Sequence, residues 1–116
     1  MDKIIWVIVG VVGVALIVKT WAGASGGQVE TAKEKIKQGA LVLDVRTPGE
    51  YQAGHYDGAV NIPVQELETR LGEIKDKKRA IVVYCASGMR SANAAKILTA
   101  AGFSDVTNAG GWAQLK

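Results

Sequence analysis

Residues 81–98 read IVVYCASGMRSANAAKIL and form the stretch that most constrains the fold. The β-branched run before Cys85 predicts a buried strand, and the alanine-rich stretch after Gly88 predicts a helix. A strand followed by a short loop and a helix directs backbone N–H groups and the positive end of the helix dipole into that loop. Because these dipoles favour a thiolate, we expect the pKa of Cys85 to lie below that of a free thiol.

Arg90 adds a positive charge to the same loop. A cation at the N-terminus of a helix is unfavourable unless it faces an anion, so we expect Arg90 to hold an anionic substrate. The alternative, an inert buried thiol at Cys85, is disfavoured by the glycine and the arginine that follow it. The predicted binding loop between and around these two residues consists of Ala86, Ser87, Gly88, Met89 and Ser91.

Outside this junction, predicted strands alternate with predicted helices. We predict strands over residues 41–45, 58–62, 80–84 and 105–107, and helices over 29–38, 64–74 and 91–101, with Pro48 in the first turn of another helix. Such alternation is typical of an α/β fold with a mostly parallel central sheet covered by helices on both faces. Ligands of these sheets bind at the carboxyl ends of the strands, where Cys85 and the Asp44–Arg46 segment both lie.

The N-terminal quarter differs from the rest of the chain. Ile4–Val18 has no charged side chain and lies between Lys3 and Lys19, with Trp6 near its start and Trp21 just after its end. As a helix it would extend about 22 Å, which is less than the ~30 Å hydrocarbon core of a bilayer. Lys19 can snorkel, and the weakly polar residues 20–24 can lengthen the segment. We therefore predict three parts: residues 1–21 as a transmembrane anchor or signal segment, 22–28 as a flexible linker, and 29–116 as the folded domain.

Two kinds of export remain open for this segment. An uncleaved anchor through residues 4–21 is favoured, and it implies a single-pass membrane protein, of the bacterial inner membrane by this pattern. Ala22–Ala24 also fits a signal-peptidase site, and cleavage near Ala24 would release the domain into the periplasm. The lysines do not settle which side of the membrane the domain faces. A core helix is disfavoured because the segment has no polar face.

Composition excludes several classes of function. The net charge is +3, and the only dense basic cluster, residues 75–79, is interrupted by Asp76, so we expect no nucleic-acid binding. Cys85 is the only cysteine and His55 the only histidine. An internal disulfide, a C-x-x-C redox or zinc motif and a histidine-based metal cluster are thereby excluded, and we expect neither metal nor cofactor.

Several short motifs together resemble those of the rhodanese family, specifically its single-domain sulfurtransferases, over about residues 28–112. In order along the chain they are LDVRTPGEY (43–51), GH (54–55), GAVNIP (58–63), CASGMRS (85–91), AGF (101–103) and GGW (110–112). The chain departs from the family pattern at both ends of the domain. The usual C-terminal helix is expected to be cut short, with five residues after Gly111. Family members commonly begin with a strand before the first helix, where this chain has the glycine-rich linker.

The resemblance implies a reaction for Cys85. The thiolate would take the outer sulfur of thiosulfate or a related donor as a persulfide and pass it to an acceptor such as cyanide, a thiol or a protein. Backbone N–H groups of residues 86–91 would stabilise the thiolate and persulfide, and Arg90 would orient the donor. With no second cysteine, the persulfide needs an external acceptor.

Two other functions are weighed against sulfur transfer. The first is a cysteine phosphatase. Phosphatases of similar layout have five residues between cysteine and arginine, whereas four separate Cys85 from Arg90, so this function is disfavoured. A binding or sensing module without turnover is the main alternative.

The remaining motif residues are interpreted mainly as structural. Asp44 and Arg46 are predicted to fix the shape of the site by bonding to the neighbouring loops. Direct contact with the substrate is an alternative role for Arg46. Glu50 and His55 are predicted to order the loop between strands, and Trp112 to pack. Ser87 and Ser91 either cap the helix or donate to the persulfide.

The N-terminal hypothesis predicts an intact Met1 in protein isolated from its native membrane. N-terminal sequencing together with intact mass measures this directly. A free terminus at Ser25 would show cleavage and rule out the anchor.

Overall fold

The computed structural model describes residues 27–116, so the predicted anchor and most of the predicted linker lie outside the described residues. The helices are α1 (Val29–Lys37), α2 (Pro48–Ala53), α3 (Met89–Ala100) and α4 (Trp112–Leu115); the strands are β1 (Leu41–Asp44), β2 (Val60–Asn61), β3 (Ile81–Cys85) and β4 (Val106–Gly111). Two 3-10 segments, Val64–Glu66 and Glu68–Glu73, connect β2 to β3. Within residues 27–116, no helix is both long and apolar enough to cross a membrane.

The four strands form one parallel sheet in the order β2-β1-β3-β4. This confirms the predicted α/β class with a parallel sheet between helices. β3 lies between β1 and β4 and all five of its residues are buried, as is typical of a central parallel strand. The pairing of β3 with β4 is irregular between Val83 and Tyr84, where the register shifts by one residue.

Alternation along β3 assigns its side chains to two hydrophobic layers. Val83 and Cys85 belong to one layer, with Leu98 of α3 and the 3-10 segments. Val82 and Tyr84 belong to the other layer, together with residues of α1 and α4. Because successive strand residues point to opposite faces, Cys85 and its neighbour Tyr84 lie on different sides of the sheet.

The helix predicted over residues 64–74 is wrong in type, because the segment forms two 3-10 stretches. Its apolar residues explain the difference: Val64 and Leu67 are three apart, as are Leu71 and Ile74, and side chains three apart align in the tighter helix. Arg70 pairs with Glu66 at 3.1 Å, and Glu73 binds the same guanidinium at 2.7 Å.

Three boundaries differ from the sequence prediction in ways that affect the site. β3 includes Cys85, and α3 begins at Met89, so the connecting loop is shorter than predicted. β4 continues to Gly111 instead of ending at Thr107. Gln28, the last residue of the predicted linker, donates its N–H to the Asn108 carbonyl at 2.7 Å and is therefore bonded to β4.

Candidate active site

Cys85 is the last residue of β3 and is fully buried. The chain turns directly after it, and the N–H of Gly88 donates a hydrogen bond to the Cys85 sulfur at 2.9 Å. Gly88 has a φ of 102°, in the left-handed region that glycine adopts without strain, and it is the N-cap of α3. The sequence C-x-x-G therefore folds the backbone so that the N–H of its own glycine contacts the sulfur.

Two opposing effects determine the pKa of Cys85. Burial raises the pKa of the thiol, whereas hydrogen bonds from the Ser91 side chain and from the backbone N–H groups of Ser91, Gly88 and Ser87 lower it. The hydrogen bonds outweigh burial, so the pKa lies below the ordinary value of a cysteine. This agrees with the expectation from the strand–loop–helix junction.

Ser91 is buried at the start of α3. Its hydroxyl has one proton and two acceptors within reach, the Gly88 carbonyl at 3.1 Å and the Cys85 sulfur. A thiolate accepts a stronger hydrogen bond than a neutral carbonyl, so ionisation of Cys85 favours the bond to sulfur. Ser87 contributes through its backbone N–H, and its side chain is exposed.

The end of β4 packs directly beneath the loop. A Cβ on Gly111 would lie 2.9 Å from the Ala86 carbonyl oxygen, closer than real Cβ atoms approach backbone. A Cβ on Gly88 would meet Gly110 at 3.4 Å. Gly111 is therefore required by the close approach of two backbones, and Gly110 by its φ of 88°, and the contact fixes the position of the loop.

Arg90 is in the first turn of α3 and forms a two-pronged ion pair with Glu50 of α2. Its two terminal nitrogens donate to the two carboxylate oxygens of Glu50 at 2.7 and 3.0 Å. The pKa of Arg90 is raised, mostly by these bonds and to a lesser extent by the negative charge of Cys85. The anion that was expected to face Arg90 is therefore, in this structure, a carboxylate of the protein itself.

Glu50 is also held by its own helix. Thr47 is the N-cap of α2: its hydroxyl oxygen accepts from the Glu50 N–H, and its backbone N–H donates to Glu50 Oε1 at 3.1 Å. The hydrogen bonds from Arg90, followed by the bond from the Thr47 backbone, lower the pKa of Glu50 to about 2. Glu50 is thus ionised and positioned from two sides.

Asp44 and Arg46 lie in the sheet layer opposite to Cys85. Asp44 accepts from the Arg46 guanidinium at 2.7 Å and from the Tyr84 hydroxyl at 2.6 Å, and Arg46 also donates to the Gly54 carbonyl at 2.6 Å. Burial is the main cause that raises the pKa of Tyr84 far above its usual value, followed by the bond to Asp44. This network joins β1, β3 and the loop after α2.

The aromatic residues near this network are packed against cations and one another. The Trp112 ring lies 5.1 Å from the Arg46 guanidinium and 4.6 Å from the Lys116 ammonium. His55 is exposed and stacks on Tyr51 with ring centroids 3.7 Å apart. These contacts put Trp112 and His55 at the loop after α2, and neither residue is hydrogen-bonded to Cys85 or Arg90 in the part of the chain described.

The structure brings together Cys85, its loop and Arg90, and it adds Glu50 to them. Sequence reasoning assigned Glu50 only to loop ordering and did not identify its partner, although the T-P-G-E capping pattern marks it as a fixed carboxylate near the strand ends. It also missed Tyr84, whose position before Cys85 gave no sign of a buried hydroxyl network. The assembled groups are a low-pKa thiol, N–H donors and a guanidinium, which suit a nucleophile that reacts with an anion.

Comparison with known proteins gives a family and several similar proteins. The model of the rhodanese-like domain family matches residues 28–116. Thiosulfate sulfurtransferase PspE of Escherichia coli is 43% identical over 70 residues, which cover 60% of this chain and 67% of PspE. Thiosulfate sulfurtransferase 18 of Arabidopsis thaliana is 38% identical over 97 residues, covering 72% of this chain and 71% of that protein.

A solved structure supports the fold. A rhodanese with anions from E. coli superposes with a TM-score of 0.62 and 39% identity, covering 65% of this chain and 89% of that one. Among three curated relatives, the chain spans from 44% to 67% of the relative's length. The similarity therefore applies to the domain over residues 28–116.

The hydrogen bonds to sulfur predict that Ser91→Ala moves the ionisation of Cys85 to higher pH. Removal of one donor leaves burial less opposed, so the thiol stays protonated at a pH where the wild type is a thiolate. The ultraviolet absorbance of the thiolate against pH, corrected with Cys85→Ser, measures the midpoint. Ser87→Ala is the matched control, because it keeps its backbone N–H and should leave the midpoint in place.

The close backbone approach predicts that Gly111→Ala costs about 1–3 kcal/mol of unfolding free energy, since the new methyl group must displace the Ala86 carbonyl. Urea denaturation measures the change. Gly72→Ala is the control, because a Cβ there meets nothing within 4 Å. Equal stability of the two variants would contradict this account of the loop.

Proposed function

The chain belongs to the rhodanese-like domain family, and on this premise we propose that it is a sulfurtransferase that carries sulfane sulfur as a persulfide on Cys85. The observation that carries the proposal is the hydrogen bond from Gly88 to the Cys85 sulfur within a loop that lowers the pKa of the thiol. Relatives named thiosulfate sulfurtransferase support sulfur transfer as the reaction class and thiosulfate as the donor to test first.

The first half-reaction breaks the S–S bond of the donor. The Cys85 thiolate attacks the outer sulfur of thiosulfate, a Cys85 S–S bond forms, and sulfite leaves with the electron pair of the broken bond. One negative charge on the thiolate and two on thiosulfate become one on the persulfide and two on sulfite. No oxidant, metal or proton donor is consumed, so the groups in the loop are sufficient.

The loop suits both the thiolate and the persulfide. The Gly88 N–H already donates to the sulfur, and the groups of Ser87 and Ser91 also favour the thiolate, so little reorganisation is needed as charge moves to the terminal sulfur. Arg90, five positions after the nucleophile, is the cation that meets the sulfonate end of the donor. Because the sulfur is covered in the free protein, the loop has to expose it before the donor can react.

The second half-reaction requires another molecule. The chain contains no second cysteine, so a persulfide on Cys85 cannot close to an internal disulfide. An external nucleophile, such as cyanide, a thiol or a thiol-bearing protein, attacks the terminal sulfur and restores the thiolate. Donor and acceptor use the same residue in turn, which gives ping-pong kinetics.

We also propose that residues 4–21 attach the domain to a membrane, with the glycine-rich segment after them as the tether. The support is the composition of that segment alone: residues 4–18 carry no charge, and Trp6 and Trp21 lie near its two ends.

The alternative is a module that binds a partner or stores sulfur without turnover. The full burial of Cys85 favours it, since an enzyme has to expose the sulfur in each cycle. The two functions differ in one measurable property, the number of sulfur atoms transferred per protein molecule.

The proposal predicts that full-length protein, purified in a mild detergent, forms thiocyanate repeatedly from thiosulfate and cyanide. Incubation with thiosulfate alone adds one sulfur atom to the intact mass, and cyanide removes it. Cys85→Ser lowers the rate by more than about a thousandfold, because the nucleophile is lost. A single turnover with a stable sulfur adduct would favour sulfur storage, and no adduct at all would reject both transfer and storage and leave partner binding.

A further inference from the structure

We propose that Glu50 determines how tightly the protein binds an anionic sulfur donor, because its carboxylate occupies Arg90 in the free protein and the donor has to displace it. The inference rests on the proposed function for its choice of donor, and it adds a residue from a different element to the site. Glu50 acts through Arg90 and is therefore a positioning residue.

The geometry shows a guanidinium already bound in the manner of a ligand. Both terminal nitrogens of Arg90 donate to Glu50, at 2.7 and 3.0 Å, in the parallel arrangement that arginine also uses for sulfonate and phosphate groups. An anion that approaches Cys85 and takes the same two donors cannot do so while Glu50 holds them.

The ion pair is accessible enough to exchange partners. The side chains of Arg90 and Glu50 are 33% and 34% exposed, whereas those of Arg46 and Asp44 are 6% and 0% exposed. Arg46 is committed to Asp44 and the Gly54 carbonyl in the opposite layer of the sheet. Of these two arginines near the strand ends, only Arg90 can be shared with a molecule from solvent.

Glu50 does not depend on Arg90 for its position. Both the backbone N–H and the hydroxyl of Thr47 lie 3.1 Å from Glu50 Oε1, so the carboxylate remains beside the loop when the donor takes the guanidinium. The bond from the Thr47 backbone also lowers the pKa of Glu50, so the carboxylate stays ionised at neutral pH after the donor takes Arg90. A fixed negative charge beside the donor site thus opposes a second anion.

The effect falls on binding more than on the chemical step. Thiosulfate and sulfite are both anions, so competition and like-charge repulsion weaken both of them. Departure of sulfite is assisted, because Glu50 recaptures Arg90 as the product leaves. The loop around Cys85, which stabilises the persulfide, is not altered by this exchange.

The test is Glu50→Gln. Glutamine supports the same capping box as glutamate, so the N-terminus of α2 is retained while the negative charge is removed. Glu73→Gln is the matched control, because Glu73 makes a comparable pair with Arg70 at 2.7 Å on the 3-10 segment. A general effect of net charge would appear in both variants, whereas displacement from Arg90 appears in one.

Sulfite is the binding probe, measured by calorimetry in full-length Cys85→Ser so that no sulfur can be transferred. Adding Glu50→Gln is expected to lower the dissociation constant about fivefold at low salt, the range of a partly exposed ion pair. The difference should shrink as ionic strength rises, because exposed charges are screened. Adding Glu73→Gln should leave the dissociation constant unchanged.

Kinetics give a second readout in protein with Cys85 present. Glu50→Gln should lower the KM for thiosulfate about fivefold and strengthen product inhibition by sulfite, with a smaller change in kcat. A role limited to holding the loop predicts the opposite, a weaker donor interaction and a lower kcat.

The inference is overturned if Glu50→Gln leaves sulfite affinity unchanged or weakens it, or if neither protein binds sulfite. It is separate from the proposed function in outcome. Tighter sulfite binding without any persulfide in the Cys85 protein would reject sulfur transfer and retain Glu50 as the competitor for Arg90. Turnover with unchanged anion affinity in Glu50→Gln would retain sulfur transfer and reject Glu50 as the competitor for Arg90.

Discussion

The close contact between the end of β4 and the loop after β3 is the constraint on which the rest of the site depends. Gly111 approaches the Ala86 carbonyl so closely that no side chain fits between them, and Gly110 lies against Gly88. The loop is thus held by β3 at its start, by the end of β4 at its side and by the start of α3 at its end. Because the backbone is fixed on both sides, the N–H groups around Cys85 are preorganised and the hydrogen bonds to sulfur outweigh the cost of burial.

Alternation along β3 puts the Cys85 thiol and the Asp44–Arg46 ion pair on opposite faces of the sheet. Cys85 points into the layer of α3, while Tyr84 points into the opposite layer and bonds Asp44, which in turn holds Arg46. A network of charged and hydroxyl groups directly beside the thiolate would compete for its donors. One residue of offset in the strand puts that network on the other face of the sheet, away from the Cys85 sulfur, where it joins the strand ends.

Local patterns predicted much of this structure. The strand–loop–helix junction, the parallel α/β class and the lowered pKa of Cys85 each depend on residues that are neighbours in sequence, so their spacing is sufficient. The 3-10 segments were missed because Val64, Leu67, Leu71 and Ile74 fit an α-helical stripe as well as pairs three apart. The length of β4 was missed because its glycines are not typical of a strand; they are there for the contact with the loop.

The sequence by itself determined the loop that holds the Cys85 thiol and the cation five positions later, because a turn and a helix N-terminus are formed by contiguous residues. Only the tertiary structure decided what faces that cation. Glu50 and Arg90 are 40 residues apart, and the parallel sheet brings the start of α2 beside the start of α3. The pairing of Glu50 with Arg90 depends on strand order, because β1 and β3 are neighbours and the helices that follow them therefore begin side by side. Residue spacing along the chain does not predict this.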